Sequence, residues 1–314
     1  MLAARVGRSV AFMRVVLITG TSTGIGRACA ARLAGEDWTV FAGVRRSEDA
    51  DQLKAELSGD VRPVMLDVCD RDQMREVIAH ITADLGETGL DGLVNNAGVG
   101  VGAPVEYSSE QDWRWVFDVN LFSIVALTQA ATPLLRRARG RVVHIGSIGG
   151  RLSTPGLAAY SASKHALEAL AEAQRHELRR AATGIKVSLV EPGEVKTAIG
   201  DMGDATVDEL ERTLDDDGRA RYGWLINQSR GFIDEGRHRG VDADKVAQAV
   251  EHGLTARRPK ARYLVGPDAK AYGHVLTRLP DRLRDTLTDL GSRRWERRGR
   301  KARRTGHAHR TTDQ

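Results

Sequence analysis

Short apolar runs alternate with amphipathic stretches along most of this 314-residue chain. Runs rich in valine, isoleucine and leucine are typical of strands buried on both faces of a sheet. About seven such runs occur, at residues 14–19, 38–44, 61–66, 90–94, 141–146, 185–190 and 261–265. The apolar spacing between them predicts helices at 27–34, 48–57, 71–85, 109–137, 160–181 and 243–256. This alternation predicts a single-domain α/β fold, a doubly wound parallel sheet of about seven strands with helices on both faces.

A glycine-rich turn follows the first predicted strand. Residues 14–19 run directly into Gly20-Thr21-Ser22-Thr23-Gly24-Ile25-Gly26, and a helical pattern follows. Glycines at such a turn let a pyrophosphate approach backbone N–H groups at the positive end of a helix. The same glycines could form an ordinary loop, but the strand before them and the helix after them favour a nucleotide site in a Rossmann-type fold.

The end of the second predicted strand bears on the choice of cofactor. Arg45 and Arg46 follow Val44, and no carboxylate stands at this strand end. A carboxylate here would bind the ribose 2′-hydroxyl of NAD, whereas an arginine can pair with the 2′-phosphate of NADP. Arg45 therefore predicts NADP, with NAD as the second choice. The alternative is that both arginines are solvated residues that open a loop.

Four polar side chains are candidates for proton chemistry. Tyr160 and Lys164 lie four residues apart in a helical run, so the phenol and the ammonium project from one face. A nearby ammonium favours the phenolate and lowers the pKa of tyrosine, which suits proton exchange with a substrate oxygen. Ser147 follows the strand at 141–146, and Asn120 stands among apolar residues where an amide needs a buried partner. Each also has an ordinary structural explanation, such as a solvated lysine or a satisfied core amide.

Taken together, these segments resemble the short-chain dehydrogenase/reductase family. The matching residues are Thr19, Gly20, Gly24, Gly26, Asp67, Asn95, Asn96, Ala97, Gly98, Asn120, Ser147, Tyr160, Lys164, Pro192, Gly193 and Thr197. They occur in order over about residues 14–266. The stretch at 40–45 is nearest in pattern to the branch that contains 17β-hydroxysteroid and retinol dehydrogenases.

The resemblance implies roles for the four polar residues. Tyr160 would be the general acid in ketone reduction and the base in alcohol oxidation. Lys164 would hold the nicotinamide ribose and lower the pKa of Tyr160. Ser147 would bind the substrate oxygen, and Asn120 would position a water in a proton relay.

The resemblance also implies a set of cofactor contacts. The turn at 20–26 would cradle the pyrophosphate, Asp67 would meet the adenine edge, and Asn95 would meet the ribose side. Thr197 would bind the nicotinamide carboxamide. The further cofactor-binding positions are Arg45, Val68, Ala97, Gly98, Tyr160, Lys164, Pro192, Gly193 and Val195. No metal is expected.

Charge is distributed unevenly along the chain. Residues 291–314 hold nine Arg or Lys against two acids, a net +7, which leaves 38 basic and 40 acidic side chains in residues 1–290. Because the basic segment has few apolar residues, we predict a disordered tail after a domain that spans 13–290. Deletion after Leu290 is then expected to leave turnover nearly unchanged. Met13 stands directly before the first strand, which predicts that residues 1–12 are either untranslated or a disordered extension.

The segment 198–240 is predicted to cover the substrate. It carries many charges and scattered apolar side chains, a composition that suits a mobile lid, although ordinary packing explains it equally well. Leu152 and Leu157 flank the catalytic stretch and favour a hydrophobic substrate.

These observations predict an NAD(P)-dependent oxidoreductase, with NADPH favoured, that acts on a hydrophobic secondary alcohol or ketone. The alternative is a non-catalytic dinucleotide-binding regulator whose basic tail binds nucleic acid or a partner. We expect no nucleic-acid partner, no transmembrane segment and a cytoplasmic location. Family members usually pair through the helices at 109–137 and 160–181, so a homodimer or homotetramer is expected.

Overall fold

Seven parallel strands form the central sheet of the computed structural model, which describes residues 13–196 and 199–310. They are β1 (Arg14–Ile18), β2 (Trp38–Val44), β3 (Asp60–Met65), β4 (Gly92–Asn95), β5 (Arg141–Ile145), β6 (Lys186–Pro192) and β9 (Arg262–Val265). Their order is β3-β2-β1-β4-β5-β6-β9, and two short strands, β7 (Val195–Lys196) and β8 (Val241–Asp242), pair separately. The predicted fold class is confirmed. In such sheets ligands bind at the carboxyl ends of the strands, beside the point where the strand order reverses.

Helices cover both faces of the sheet. They are α1 (Gly24–Gly35), α2 (Ser47–Glu56), α3 (Arg71–Leu85), α4 (Glu110–Phe117), α5 (Ser123–Ala138), α6 (Ala158–Arg180), α7 (Ile199–Thr213), α8 (Asp216–Arg239), α9 (Ala243–Thr255), α10 (Pro267–His274) and α11 (Asp281–Arg310). The helix predicted at 109–137 is divided, because a π-helical turn, Asp118–Phe122, separates α4 from α5.

The core lies in two layers, one on each face of the sheet. Side chains alternate between the layers along each strand: Leu17 packs in one cluster, and Val16 and Ile18 pack in the other. All three side chains are fully buried. This two-sided burial explains why the strands are continuous apolar runs in the sequence.

The segment predicted as a lid consists of α7 and α8. Their buried side chains form a small third cluster that is separate from the two sheet layers; its members are Val207, Leu210, Leu214, Leu225 and Ile226. A helical pair with its own core fits a cover over the sheet edge. Its mobility stays a prediction.

The predicted disorder after Leu290 is wrong for the described residues, because α11 continues through that position. Trp295 Nε1 donates to Glu235 Oε2 of α8 at 3.0 Å, and Arg298 pairs with Asp234 at 2.5 Å. The Trp295 ring also meets Phe232 edge-on, with centroids 5.1 Å apart. Composition alone missed this docking because the complementary acids lie some sixty residues upstream. The predicted extension at 1–12 lies outside the described residues.

Among the described residues, one helical stretch, Glu110–Ala138, is long and apolar enough to cross a membrane by length and composition. Buried core helices pass the same test, and 44% of its most apolar window is buried inside the protein. Its buried residues include Ile124, Leu127 and Leu135, which pack on the sheet.

Candidate active site

The glycine-rich turn lies at the carboxyl edge of the sheet, between β1 and α1. Gly20 has a φ of +67° and Gly24 a φ of +58°, which are left-handed values that favour glycine. At Gly26 a Cβ atom would lie 2.1 Å from the Gly20 carbonyl oxygen, so the turn closes this tightly only without a side chain. The first turn of α1 holds no acidic residue, and its N-cap residue, Thr23, makes no side-chain capping bond. This cradle at a helix N-terminus fits the pyrophosphate of a dinucleotide.

Asn96, to which sequence reasoning gave no separate role, fastens the glycine turn to the end of β4. Its Nδ2 donates to the carbonyl oxygens of Thr19 and Gly20, both at 2.9 Å. In return, Thr19 Oγ1 accepts the N–H groups of Asn96 and Ala97, both at 3.0 Å. Ala97 and Gly98 follow directly, so the predicted cofactor segment at 95–98 is held against the glycine turn. The paired asparagines at a strand end were the available signal.

The Asn95 side chain, by contrast, faces the core and not the crevice. It is 2% exposed, and its Nδ2 lies 3.2 Å from Thr128 Oγ1 and 3.1 Å from His144 Nδ1. His144 Nε2 in turn lies 2.9 Å from Gln174 Oε1, and burial lowers the pKa of His144 to about 4. The neutral imidazole therefore completes a buried amide network. The Asn95 side chain is not positioned to contact the ribose of a cofactor in the crevice.

The remaining residues of the glycine turn differ in exposure. Thr21 is buried, and its Oγ1 donates to the Gly43 carbonyl oxygen at 3.0 Å, so this side chain supports the turn from inside. Ser22 and Ile25 are half-buried, and Thr23 is exposed. The Thr21 side chain is engaged with the protein, which leaves backbone groups and the exposed side chains for a ligand.

Residues at the ends of β2 and β3 lie at the same carboxyl edge of the sheet as the glycine turn. Asp67 Oδ1 accepts the Cys69 N–H at 2.9 Å, and the Asp67 N–H donates to Gln73 Oε1 at 2.8 Å, so the turn after β3 is fixed. Val68 is buried and Arg45 is exposed. The structure therefore brings a fixed carboxylate turn and a solvent-facing guanidinium to the same sheet edge.

Tyr160 and Ser147 meet at the end of β5. The phenol ring lies between two backbone segments without side chains: a Cβ at Gly149 would be 3.2 Å from the ring, and one at Gly100 would be 3.5 Å from it. Ser147 Oγ accepts the Gly149 N–H at 3.0 Å and would lie 3.3 Å from the same Gly149 Cβ, beside the phenol ring. The hydroxyl of Ser147 and the phenol of Tyr160 are thereby presented to one point.

Lys164 lies beneath this pair. Its Nζ donates to the Ile145 carbonyl oxygen at 2.9 Å and lies 5.7 Å from the centroid of the Tyr160 ring. Burial lowers the pKa of Lys164 to about 8. Burial also raises the pKa of Tyr160, and the hydrogen bond with Ser147 only partly opposes this. The expected lowering of the Tyr160 pKa is wrong for this structure, because desolvation of the phenolate outweighs the favourable interactions.

Asn120 occupies the π-helical turn and is fully buried. Its Oδ1 accepts the Val99 N–H at 2.9 Å, and its Nδ2 donates to the Val99 carbonyl at 2.9 Å and to Ser163 Oγ at 3.0 Å. Ser163 Oγ donates to the Tyr160 carbonyl oxygen at 2.7 Å. Asn120 therefore ties the loop after β4 to α6, the helix that carries Tyr160 and Lys164. Ser163, which sequence reasoning missed, is the link, and its place one residue before Lys164 was the available signal.

The loop after β6 lies at the same carboxyl edge of the sheet, on the side of β5 away from the glycine turn. Pro192 is buried, Gly193 is half-buried with its N–H donating to the Val265 carbonyl oxygen at 3.0 Å, and Val195 pairs with Val241 across β7 and β8. Thr197 lies outside the described residues. The structure therefore brings this loop to the same edge as Tyr160.

Known proteins resemble this chain over most of its length. The family model described as short chain dehydrogenase matches residues 14–207. "Dehydrogenase/reductase SDR family member 9" of Bos taurus is 33% identical over 279 residues, which cover 87% of this chain and 86% of the relative. "NADPH-dependent 3-dehydrocapnine reductase" of Ornithobacterium rhinotracheale is 32% identical over 280 residues, 88% and 96% of the two chains. "17-beta-hydroxysteroid dehydrogenase type 6" of Rattus norvegicus is 32% identical over 290 residues, 90% and 89% of the two chains.

Solved structures agree. A short-chain dehydrogenase from Streptomyces avermitilis superposes with a TM-score of 0.70 at 31% identity, over 90% of this chain and 97% of that one. A Burkholderia phymatum family member in complex with NAD superposes with a TM-score of 0.68 at 27% identity, over 83% and 91% of the two chains. Steroid dehydrogenases are among the relatives, as the pattern at 40–45 predicted. This chain belongs to the short-chain dehydrogenase family, whose oxidoreductases act on CH–OH groups with NAD or NADP.

Proposed function

We propose that this enzyme transfers a hydride between NADPH and a hydrophobic secondary alcohol or ketone, with Tyr160 as the general acid and base. The observation that carries the proposal is the meeting of Ser147 and Tyr160 at the sheet edge above the buried Lys164. A hydroxyl and a phenol that converge on one point can bind and protonate a single carbonyl oxygen.

A bound nicotinamide cofactor supplies or accepts the hydride, and the protein handles the proton. In ketone reduction Ser147 donates a hydrogen bond to the substrate oxygen, and the Tyr160 hydroxyl donates its proton to the same oxygen. In alcohol oxidation the tyrosinate takes that proton back. The Lys164 ammonium favours the tyrosinate, which opposes the effect of burial on the phenol.

Asn120 and Lys164 support a proton relay to solvent. A Cβ at Gly98 would lie 3.4 Å from Asn120 Oδ1 and 3.6 Å from Lys164 Nζ. The missing methyl group leaves a space between an acceptor and a donor, which suits a water molecule. This supports the relay role proposed for Asn120, whose Nδ2 is already engaged by Val99 and Ser163.

Tyr160→Phe tests the assignment. Removing one hydroxyl is expected to lower kcat by about 10²–10⁴-fold while NADPH still binds. Tyr263→Phe removes a hydroxyl that bonds His252 and the Lys260 backbone, away from the crevice, and serves as the control. A Tyr160→Phe enzyme with wild-type kcat would overturn the assignment.

Arg45 supports NADPH as the favoured cofactor, because it is exposed directly after β2, the strand end at which an arginine can pair with a ribose 2′-phosphate. Arg45→Asp is expected to raise the KM for NADPH by about tenfold or more and to improve that for NADH. Arg46→Ala is the control, since Arg46 pairs with Asp49. Equal effects on both cofactors would argue against the preference.

A hydrophobic substrate is supported by the apolar side chains of the loop that joins Ser147 to Tyr160. This loop borders a cavity of about 890 Å³ whose lining is partly apolar and partly charged and includes neither Ser147 nor Tyr160. Apolar side chains from this loop and from α8 contribute to its lining, among them Leu152, Trp224 and Leu225. Steroids, retinoids and aliphatic ketones, assayed with NADPH and NADH by absorbance, form the substrate panel.

We also propose that the enzyme is a homodimer or homotetramer, which analytical sedimentation would test.

The regulatory alternative is not favoured. Its basic tail was to bind nucleic acid or a partner, but Arg294 and Arg298 pair with Glu235 and Asp234 of α8. The named relatives are dehydrogenases and reductases. Turnover with any member of the carbonyl panel would exclude it.

A further inference from the structure

A carboxylate from the C-terminal part of the chain reaches the loop after β6. Asp268 lies in the first turn of α10, and its Oδ2 accepts the Glu194 N–H at 2.7 Å. Asp268 is half-buried and lies 74 residues after its partner. A hydrogen bond from a backbone N–H to an ionised carboxylate is stronger than one to a neutral acceptor.

Two glycines make room for this carboxylate. A Cβ at Gly193 would lie 2.0 Å from Asp268 Oδ2, and a Cβ at Gly266 would lie 2.4 Å from Asp268 Oδ1. Gly266 also has a φ of +113°, which a side chain would strain. Any side chain at Gly193 would therefore displace the carboxylate.

The contact fixes the orientation of one peptide group. A peptide bond is planar and trans, so the Gly193 carbonyl points away from the Glu194 N–H that Asp268 holds. The Gly193 N–H is held separately by the Val265 carbonyl oxygen at 3.0 Å. Both ends of Gly193 are thus tied to the β9–α10 segment, and the loop cannot rotate without breaking one of the bonds.

The β9–α10 segment is itself anchored beside Ser147. Arg151, at the end of the short helical turn that follows Ser147, donates through a terminal NH group to the Gly273 carbonyl of α10 at 3.4 Å. Glu194 faces α8, since its Oε2 would lie 3.9 Å from a Cβ at Gly236. The loop after β6 is therefore held between the helical turn at 148–150 and α8.

We propose that Asp268 is a positioning residue, which orients the Gly193–Glu194 peptide for the nicotinamide half of the cofactor. The inference rests on the proposed function, because it takes the loop after β6 to be the nicotinamide wall. Among the described residues, the Asp268 carboxylate hydrogen-bonds to the loop after β6 and not to the glycine turn at 20–26. Its effect should therefore be confined to ligands that carry the nicotinamide.

The test compares two ligands by isothermal titration calorimetry with the full chain. NADPH carries the nicotinamide, and 2′-phospho-ADP-ribose lacks it; NADH and ADP-ribose form the equivalent pair. Asp268→Ala is expected to raise the Kd for NADPH by about tenfold and to leave that for 2′-phospho-ADP-ribose within about twofold. Asp268→Asn retains an acceptor oxygen and should recover most of the loss. Asp281→Ala, an exposed acid of α11, is the control.

Should Asp268→Ala fail to fold, Asp268→Ser keeps a polar residue in the first turn of α10 but is too short to reach Glu194. The same selective loss is expected from it. Equal weakening of both ligands, or no change in either, would overturn the inference. Because binding needs no turnover, an enzyme that binds NADPH but reduces no carbonyl would overturn the proposed function instead.

Discussion

Replacing Gly299 with alanine tests whether the C-terminal helix is an integral part of this enzyme. Gly299 of α11 is buried against α8, where an added Cβ would lie 1.9 Å from the Asn227 carbonyl oxygen and 3.0 Å from the Gly231 nitrogen. Both contacts are with backbone atoms, which cannot turn aside as a flexible side chain does. To restore even a 3.0 Å contact, the helices must separate by more than 1 Å.

The cost can be worked from the contacts that such a separation disturbs. Overpacking a tight interface costs about 1–3 kcal/mol. The Trp295 hydrogen bond to Glu235 and its ring contact with Phe232 would weaken as well, at about 1–3 kcal/mol and 0.5–1.5 kcal/mol when fully lost. Alanine in place of glycine returns about 1 kcal/mol through helix propensity. We expect Gly299→Ala to destabilise the docked helix by about 1–3 kcal/mol.

Gly291→Ala is the matched control, because it lies in the same helix and an added Cβ there meets nothing within 4 Å. It should gain the helix-propensity term alone, so the two variants should differ by about 2–4 kcal/mol. Amide hydrogen exchange of α8 and α11 is the assay, since local undocking is visible there even when global unfolding is not. Equal protection in the two variants would refute the docking, and the expectation that the chain after Leu290 is dispensable would then stand.

Three further substitutions test the site. Lys164→Met should abolish turnover yet stabilise the fold at pH 7 by about 2 kcal/mol, because the ammonium is buried with its pKa lowered from 10.5 to about 8. Between about pH 8 and pH 10.5 the unfolded chain binds one more proton than the folded chain, so the stability of the wild-type protein rises with pH across this window and the advantage of Lys164→Met vanishes above it. Urea unfolding of both proteins at pH 7 and pH 11 measures this difference. A Lys164→Met variant that is less stable than the wild type at pH 7 would contradict the argument. Asn95→Ala should lose about 1–3 kcal/mol of stability and keep an unchanged KM for NADPH, because its side chain lies in the core. Asn96→Ala should raise the KM for NADPH, because its side chain holds the glycine turn. Steady-state kinetics and urea unfolding of both variants test this, and the opposite pattern would mean that Asn95 contacts the cofactor.

The sheet could be read from the sequence because burial on both faces leaves a direct trace in continuous apolar runs. The residue types of the site could be read because the glycine turn and the Tyr160–Lys164 spacing carry their own chemistry. The direction in which each side chain points could not be predicted from the sequence. Asn95 and Asn96 are adjacent at a strand end, where successive side chains point to opposite faces, and a shift of one residue exchanges their roles.

The π-helical turn at Asn120 escaped prediction for a related reason. Its flanking helices, α4 and α5, keep apolar residues at near-helical spacing, so one wider turn between them leaves little trace in the pattern. The Tyr160 pKa escaped because the sequence shows the charged partner, Lys164, but not the desolvation that competes with it. Burial is a property of the folded chain, and here it decides the sign.

The last 50 residues of the described chain matter for a different reason. The residues proposed to bind the nucleotide and to move the proton lie before position 198, but some of the groups that hold their surroundings in place come from beyond it. Asp268 fixes the loop after β6, and Trp295 and Arg298 fix the helix proposed as a lid. A chain with the same catalytic motifs and another C-terminus would therefore keep the same proton chemistry but surround the substrate with different residues. Substrate selection in this enzyme should respond to α8 and its α11 contacts more than to any motif residue.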